Sequence, residues 1–233
     1  MANESILLKW DENAERLYET GIRRGVLYPW DDTTGWYGEG VPWNGLTSIT
    51  ESPSGAESNP IYADDRKYLD IRSAEEFGLT IEAYTYPDAW LQCDGTSELN
   101  GIKGITIGQQ PRKKFALCYR TIIGNDAKYN NYGYKLHIVY GCSASTSERQ
   151  YQSVNDSPEA IQFSWEVTTE PETVDANTTT SIVTIDATKI DNTKAAKLKE
   201  LELILYGKHP DSGADVKAKL PKISDITDLF KAA

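Results

Sequence analysis

The chain has 233 residues, 39% of them apolar, and a net charge of −11, which is material for one large β domain or two small ones. No stretch approaches the roughly 20 apolar residues that span a bilayer. The opening MANESILLKW puts acidic and polar residues where a secretory leader needs a basic region and then an apolar run, so neither export nor membrane insertion is expected. The acidity argues against a protein that grips nucleic acid by its phosphates, which takes basic patches that release counterions. Arg112, Lys113 and Lys114 form the tightest basic run and Arg23–Arg24 the next. In so acidic a chain they read as salt-bridge partners between subunits or as a solvated face.

In chain order, DENAERLYETG (11–21) predicts a helix or an ordered turn. The next stretch, from about 25 to 60, is the most unusual. It sets Tyr28, Trp30, Trp36, Tyr37 and Trp43 among Pro29, Gly35, Gly38, Gly40, Pro42, Gly45, Pro53 and Gly55. Pro lacks a backbone donor and Gly costs backbone entropy, so a long irregular loop is predicted, with LTSITE (46–51) a weak strand candidate inside it. Large aromatics are a liability in water, so the loop should be buried, either as a lid on its own domain or against a neighbouring subunit. Trp and Tyr are favoured at interface cores. A short strand near Tyr68–Ile71 follows, and Ser73-Ala-Glu-Glu76 reads as a capping box opening one helical turn before Gly78.

Period-2 alternation then dominates. It gives strands in GLTIEAYTY (Leu79, Ile81 and Ala83 on one face), FALCYRTII (Phe115, Leu117, Tyr119, Ile123), YGYKLHIVY (Tyr134, Leu136, Ile138, Tyr140), IQFSWEV (Ile161, Phe163, Trp165, Val167) and SIVTIDA (Ser181, Val183, Ile185). IKGITIG (102–108) is weaker. The pattern predicts an antiparallel β-sandwich or barrel. One strong helix is expected from a cap at Asn192 to Tyr206, with a stripe of Ala195, Ala196, Leu198, Leu201 and Leu205 and a stop at Gly207. Beyond it, about 207–233 reads as an arm that docks on a partner or on its own core. Ser224 would cap a terminal helix carrying Ile226, Leu229 and Phe230. A single domain fits, with no internal repeat.

The chemistry-bearing residues point away from catalysis. His137 and His209 have no cysteine or second histidine nearby in sequence, and no G-x-S-x-G elbow is present. Cys93, Cys118 and Cys142 are odd in number and match no zinc spacing. The acidic pairs Asp31/Asp32, Asp64/Asp65, Glu75/Glu76 and Glu170/Glu172 read as solvated surface rather than a glycosidase pair. Asp211-Ser-Gly-Ala-Asp215 lacks the ligand spacing of a calcium loop, and Gly101, Gly104 and Gly108 mark a hairpin rather than a phosphate loop. Neither enzyme activity, nor a cofactor, nor a metal is expected.

The run GVLYPWD…GVPWNGLTSITESPSGAE, followed by YADDRKYLDIRSAEEFGLTIEAYTYPDAWLQCDG, resembles the major tail proteins of long-tailed bacteriophages, the tail tube subunits. The likeness continues more loosely through FALCYRTIIGND…YGYKLHIVYGC to LELILYG. It implies two antiparallel sheets packed at a steep angle with one flanking helix, and long loops and arms that bridge neighbours. It also implies hexameric rings stacked into the tube of a sheathless virion tail, assembled in the bacterial cytoplasm. Viral DNA would pass through the lumen without specific binding. The tape measure, tail terminator and distal tail proteins would be further partners. Under this reading Tyr28, Trp30, Trp36, Trp43, Leu229 and Phe230 are expected at subunit interfaces, and removal of the arm after about Gly213 should leave a folded monomer that polymerises poorly. The alternatives are a secreted or surface β-sandwich carbohydrate-binding module whose loop tryptophans stack on sugar rings, or another tail component of the same fold, a tail terminator or distal tail ring.

Overall fold

A computed structural model describes residues 10, 12–153, 156, 159–210 and 214–231. Its first strands are β1 (Leu17–Asp31), β2 (Trp36–Tyr37), β3 (Val41–Trp43), β4 (Leu46–Glu51), β5 (Ser54–Gly55), β6 (Ser58–Ala63), β7 (Arg66–Arg72), β8 (Glu75–Glu76) and β9 (Gly78–Ala83). A 3₁₀ turn at Asp88–Trp90 precedes β10 (Ser97–Glu98) and β11 (Thr106–Ile107). Then come β12 (Phe115–Asn125), β13 (Tyr129–Ala144), β14 (Phe163–Thr169), β15 (Glu172–Asp175), β16 (Thr178–Thr180) and β17 (Ile182–Asp186). Two helices close the chain, α1 (Ala195–Tyr206) and α2 (Ile223–Lys231). The protein is thus mostly β and its strand pairings are antiparallel.

One nine-stranded sheet forms the body, in the order β2-β1-β12-β13-β14-β9-β4, with β3 also on β1 and β17 also on β13. Strand β13 is the branch point. Its Lys135–Val139 half pairs with β17, and Cys142–Ala144 pairs with β14, while β12 runs along the other edge. Gly141 makes the switch possible. It sits at φ +64, and a Cβ there would overlap the Glu170 carbonyl, so only glycine turns the strand here.

Because β1, β12 and β13 lie between two layers, their side chains are buried on both faces. Ala116, Cys118, Leu136, Ile138 and Tyr140 meet the helix side, where Leu198, Leu201 and Leu205 of α1 and Ile223 and Ile226 of α2 cover them. Phe115, Leu117, Tyr119, Val139 and Cys142 enter the opposite core with Trp43, Leu79, Ile81, Trp90 and Trp165. Leu46 of β4 lies against Gly25 of β1, so the sheet curls around this second core. The alternation in β9, β13 and β17 matches the predicted faces. In FALCYRTII the period-2 face holds Phe115, Leu117 and Tyr119 as expected, but the intervening positions are equally buried, as in any strand covered on both sides.

Four local expectations need correction. The stretch 25–60 is not an irregular loop: it lies in β1 to β6. Pro42 sits on β3, whose one partner is β1, an edge where a missing donor is tolerated. Gly45 carries the turn into β4 at φ +79. The capping-box segment is strand β8, paired to β5, because its flanks are already held in a two-stranded stem. The cap expected at Asn192 falls one residue earlier: Asp191 caps a 3₁₀ turn, Asn192–Lys194, that leads into α1, its carboxylate accepting from Thr193 N at 3.2 Å. Ser224 lies inside α2, and Asp225 turns back to accept from Lys222 N at 3.1 Å. Of the helix or ordered turn expected in 11–21, the structure has the turn, at 13–15, and from Leu17 the chain is already β1.

Candidate assembly surface

The six residues expected at interfaces divide between the two cores. Tyr28 is fully buried on the helix side, and its hydroxyl donates to Leu205 O at 2.6 Å. Trp30 and Trp36 pack half-buried against the same core, with ring centroids 6.5 Å apart and Tyr37 wedged edge-on at 5.2 and 5.0 Å. Trp36 Nε1 donates to Leu220 O at 2.9 Å, and the Lys222 ammonium lies 5.4 Å over its ring. Leu229 and Phe230 of α2 join this cluster. Trp43 is on the other side, 3% exposed, with Trp90 at 4.6 Å and Trp165 at 5.8 Å. The chain therefore covers Tyr28 and Trp43 itself, and neither has apolar surface to offer a neighbour. The edges of Trp30, Trp36, Leu229 and Phe230 stay partly open. The arm, over the described residues 214–231, packs on its own body through Leu220, Ile223 and Ile226.

Surface unsatisfied by the chain lies elsewhere. Strands β6 and β7 form a hairpin in which every residue is exposed. It carries Ile61, Tyr62, Tyr68, Leu69 and Ile71, at 40 to 72% exposure. A two-residue turn, Asp64–Asp65, closes it with both residues at positive φ, 50° and 59°, the conformation of a type I′ hairpin turn that Asp tolerates. Together with the β5–β8 stem it reaches roughly 30 Å from the sheet, at about 3.3 Å per residue. An isolated two-stranded hairpin is marginal in water, so this one lacks a second face. A smaller excursion, β10–β11, exposes Leu99, Ile102, Ile105 and Ile107 in the same manner. Sequence reasoning found only the Tyr68–Ile71 part of the hairpin. The signal for the rest was the Asp-Asp pair between PIYA and KYLDI.

A basic concavity of about 430 Å³ opens across β1, β12 and β13, lined by Arg23, Arg24, Arg120, Asn130, Asn131 and Tyr134 among others. Arg120 lies 3.4 Å over the Tyr134 ring and 3.5 Å from Glu202. The Arg112–Lys114 run does not share it: Lys113 meets Asp32 at 3.1 Å and Lys114 meets Glu170.

A polar network crosses the sheet at His137, which is 8% exposed. Its ring stacks on Tyr119 at 4.7 Å, Nε2 stands 3.0 Å from Thr121 Oγ1, and Glu19 and Glu51 approach within 3.7 and 3.6 Å. Burial lowers its pKa below the ordinary value, and the two carboxylates only partly offset that. Tyr119 donates to Glu51 at 2.7 Å. The histidine is thus a satisfied partner in a packed network. His209 pairs at the surface with Asp215 at 2.5 Å, and the two histidines are not brought together. The three thiols are buried and unpaired, and burial pushes Cys93 and Cys118 up to about 12. Among the described residues, no group of three or more His, Cys, Asp or Glu is placed to hold a metal ion. The Asp211–Asp215 segment lies partly outside the described residues.

No protein-family model matches this chain, and no curated protein matches it either.

Proposed function

We propose that this protein is a structural subunit that polymerises with itself, and specifically a phage tail tube subunit forming stacked hexameric rings. The observation that carries the self-assembly is the β6–β7 hairpin, whose exposed Ile61, Tyr62, Tyr68, Leu69 and Ile71 have no cover from the chain's own body. Several large apolar side chains left exposed on one hairpin suit a protein interface. The tube itself rests on the sequence resemblance through residues 25–95, and the antiparallel body with its flanking helices is compatible with it. A closing ring contact and an open stacking contact are both heterologous, and a long arm on one side of a body suits the second. Acidic side chains on the lumen wall would repel DNA phosphates and let the duplex slide. Against the sugar-binding alternative, Trp43, Trp90 and Trp165 are buried and Trp30 and Trp36 show only their edges, although Trp10 is exposed.

The test is negative-stain electron microscopy of the purified protein over rising concentration. Rings with six-fold end views, or tubes built from them, are the expected result. A monodisperse monomer at every concentration, in the presence of tail-tip fractions as initiator as well as in their absence, would overturn the reading.

A further inference from the structure

The hairpin tip and the basic concavity are complementary, and we infer that the Asp64–Asp65 turn of one copy seats in the Arg23/Arg24/Arg120 pocket of a second copy. This rests on the reading that the chain assembles with itself, and it names the contact.

Three observations lead to it. Among the described residues, Asp64 and Asp65 make no ion pair and stand at the tip of a hairpin whose residues are all exposed. Arg23 and Arg24 likewise pair with no carboxylate there; Arg24 has only the Tyr206 ring, at 5.7 Å. In a chain with a net charge of −11, two adjacent unneutralised arginines are scarce cations, and they share a walled cavity with Arg120.

The third observation is the backbone. The β1–β12 ladder slips between Arg23 and Val26, and Arg24 is held at φ +54, a left-handed conformation. Such bulges re-aim a side chain and persist where the surroundings hold them against their strain. Here the bulge holds an exposed Arg24 where it lines both this concavity and a second hollow of about 430 Å³, to which Pro42 and Tyr206 contribute the accessible apolar surface. An incoming hairpin thus finds guanidinium groups for its acidic turn, and next to them an apolar wall for the aromatic and aliphatic side chains behind the turn. Planar guanidinium forks suit carboxylates. Because tip and pocket are different surfaces of one chain, the contact is head-to-tail and does not close on itself as a two-fold pair would.

Charge reversal and cross-linking test it in the full chain. Neutralising the tip with Asp64→Asn and Asp65→Asn keeps a turn that tolerates positive φ, and should raise the concentration needed for assembly by about tenfold, the scale of two partly exposed ion pairs. Arg23→Glu with Arg24→Glu should do the same. Joining those arginine reversals to Asp64→Lys and Asp65→Lys should restore assembly. Separately, Asp65→Cys protein mixed with Arg23→Cys protein should yield a covalent dimer on mild oxidation. The native thiols are all buried and leave that background clear. Wild-type protein that assembles while the neutralised tip assembles equally well would overturn the contact alone. So would a failed rescue, or Asp65→Cys protein that cross-links tip to tip. Wild-type protein that never assembles would instead overturn the functional reading beneath it.

Discussion

At the scale of single residues, His137 shows how the sheet tolerates polar groups between two apolar layers. It is wedged between Tyr119, Thr121, Glu19 and Glu51, and burial holds its pKa below 6.5. The folded state therefore binds the proton less readily than the unfolded chain. The contribution of the histidine to stability is complete above 6.5 and declines as the pH falls toward the depressed folded value. Glu19 adds to this at lower pH. Burial raises its pKa, but hydrogen bonds from Lys135 and Thr121 outweigh that and leave it lowered, so its contribution fades below its ordinary 4.5. Denaturant unfolding measured from pH 7.5 to 5.0 should show falling stability, and His137→Gln should flatten that slope. An unchanged slope would mean that the ring takes up its proton equally readily in the folded and unfolded chain.

Among elements, α2 and the strand-like segment before it carry the clearest consequence. Leu220, Ile223 and Ile226 are each less than 9% exposed. Burying side chains of this size contributes about 1.5–3 kcal/mol apiece, and the whole stability of a domain is about 5–15 kcal/mol. Truncation after Gly213 should therefore cost most of the folding free energy. Far-UV circular dichroism should report a largely unfolded or aggregated chain, in place of the folded monomer that the sequence suggests. The elements themselves were legible where periodicity is strong, as in β9, β13, β17 and α1. They were obscured between 25 and 60, where prolines and glycines occupy edge positions and turns that composition alone cannot distinguish from irregular loop. The interface was less legible still. Tryptophan content drew attention to Trp43 and Tyr28, which fill the chain's own cores, because a buried aromatic leaves the same sequence signature whichever chain buries it. Arg24 was visible only as part of a basic pair; the bulge that aims it is a property of the β1–β12 register.

For the whole molecule, the body and the hairpin should be separable. Ser52 N donates to Gly78 O at 2.8 Å, so the stem begins where the two chain ends are already adjacent. Replacing 54–76 by Asn-Gly closes β4 to β9 with a favoured tight turn and retains Phe77 against the core. The shortened protein should unfold cooperatively with a stability within about 1 kcal/mol of the full chain, since surface changes away from packed features are small. Sedimentation velocity should find it monomeric at concentrations where the full chain assembles. If it assembles normally, the interface belongs to the half-open edges of Trp30, Trp36, Leu229 and Phe230 or to the β10–β11 excursion.

The register of the central sheet also sets an order of events during synthesis. Leu17 to Arg23 of β1 pair with β12, beginning with Leu17 on Asn125, whereas Gly25 to Asp31 also pair with the nearby β2 and β3, so the first half of the strand has no partner until more than half the chain has left the ribosome. Pairings this distant in sequence form slowly, and local hairpins form in microseconds. The β6–β7 arm thus exists early on each nascent chain, whereas the bulge that presents Arg24 exists only once β12 has docked. A growing chain can offer its arm but has nowhere to receive one. Under the proposed tip-to-pocket contact, that delay would keep head-to-tail growth waiting for finished subunits on a crowded polysome.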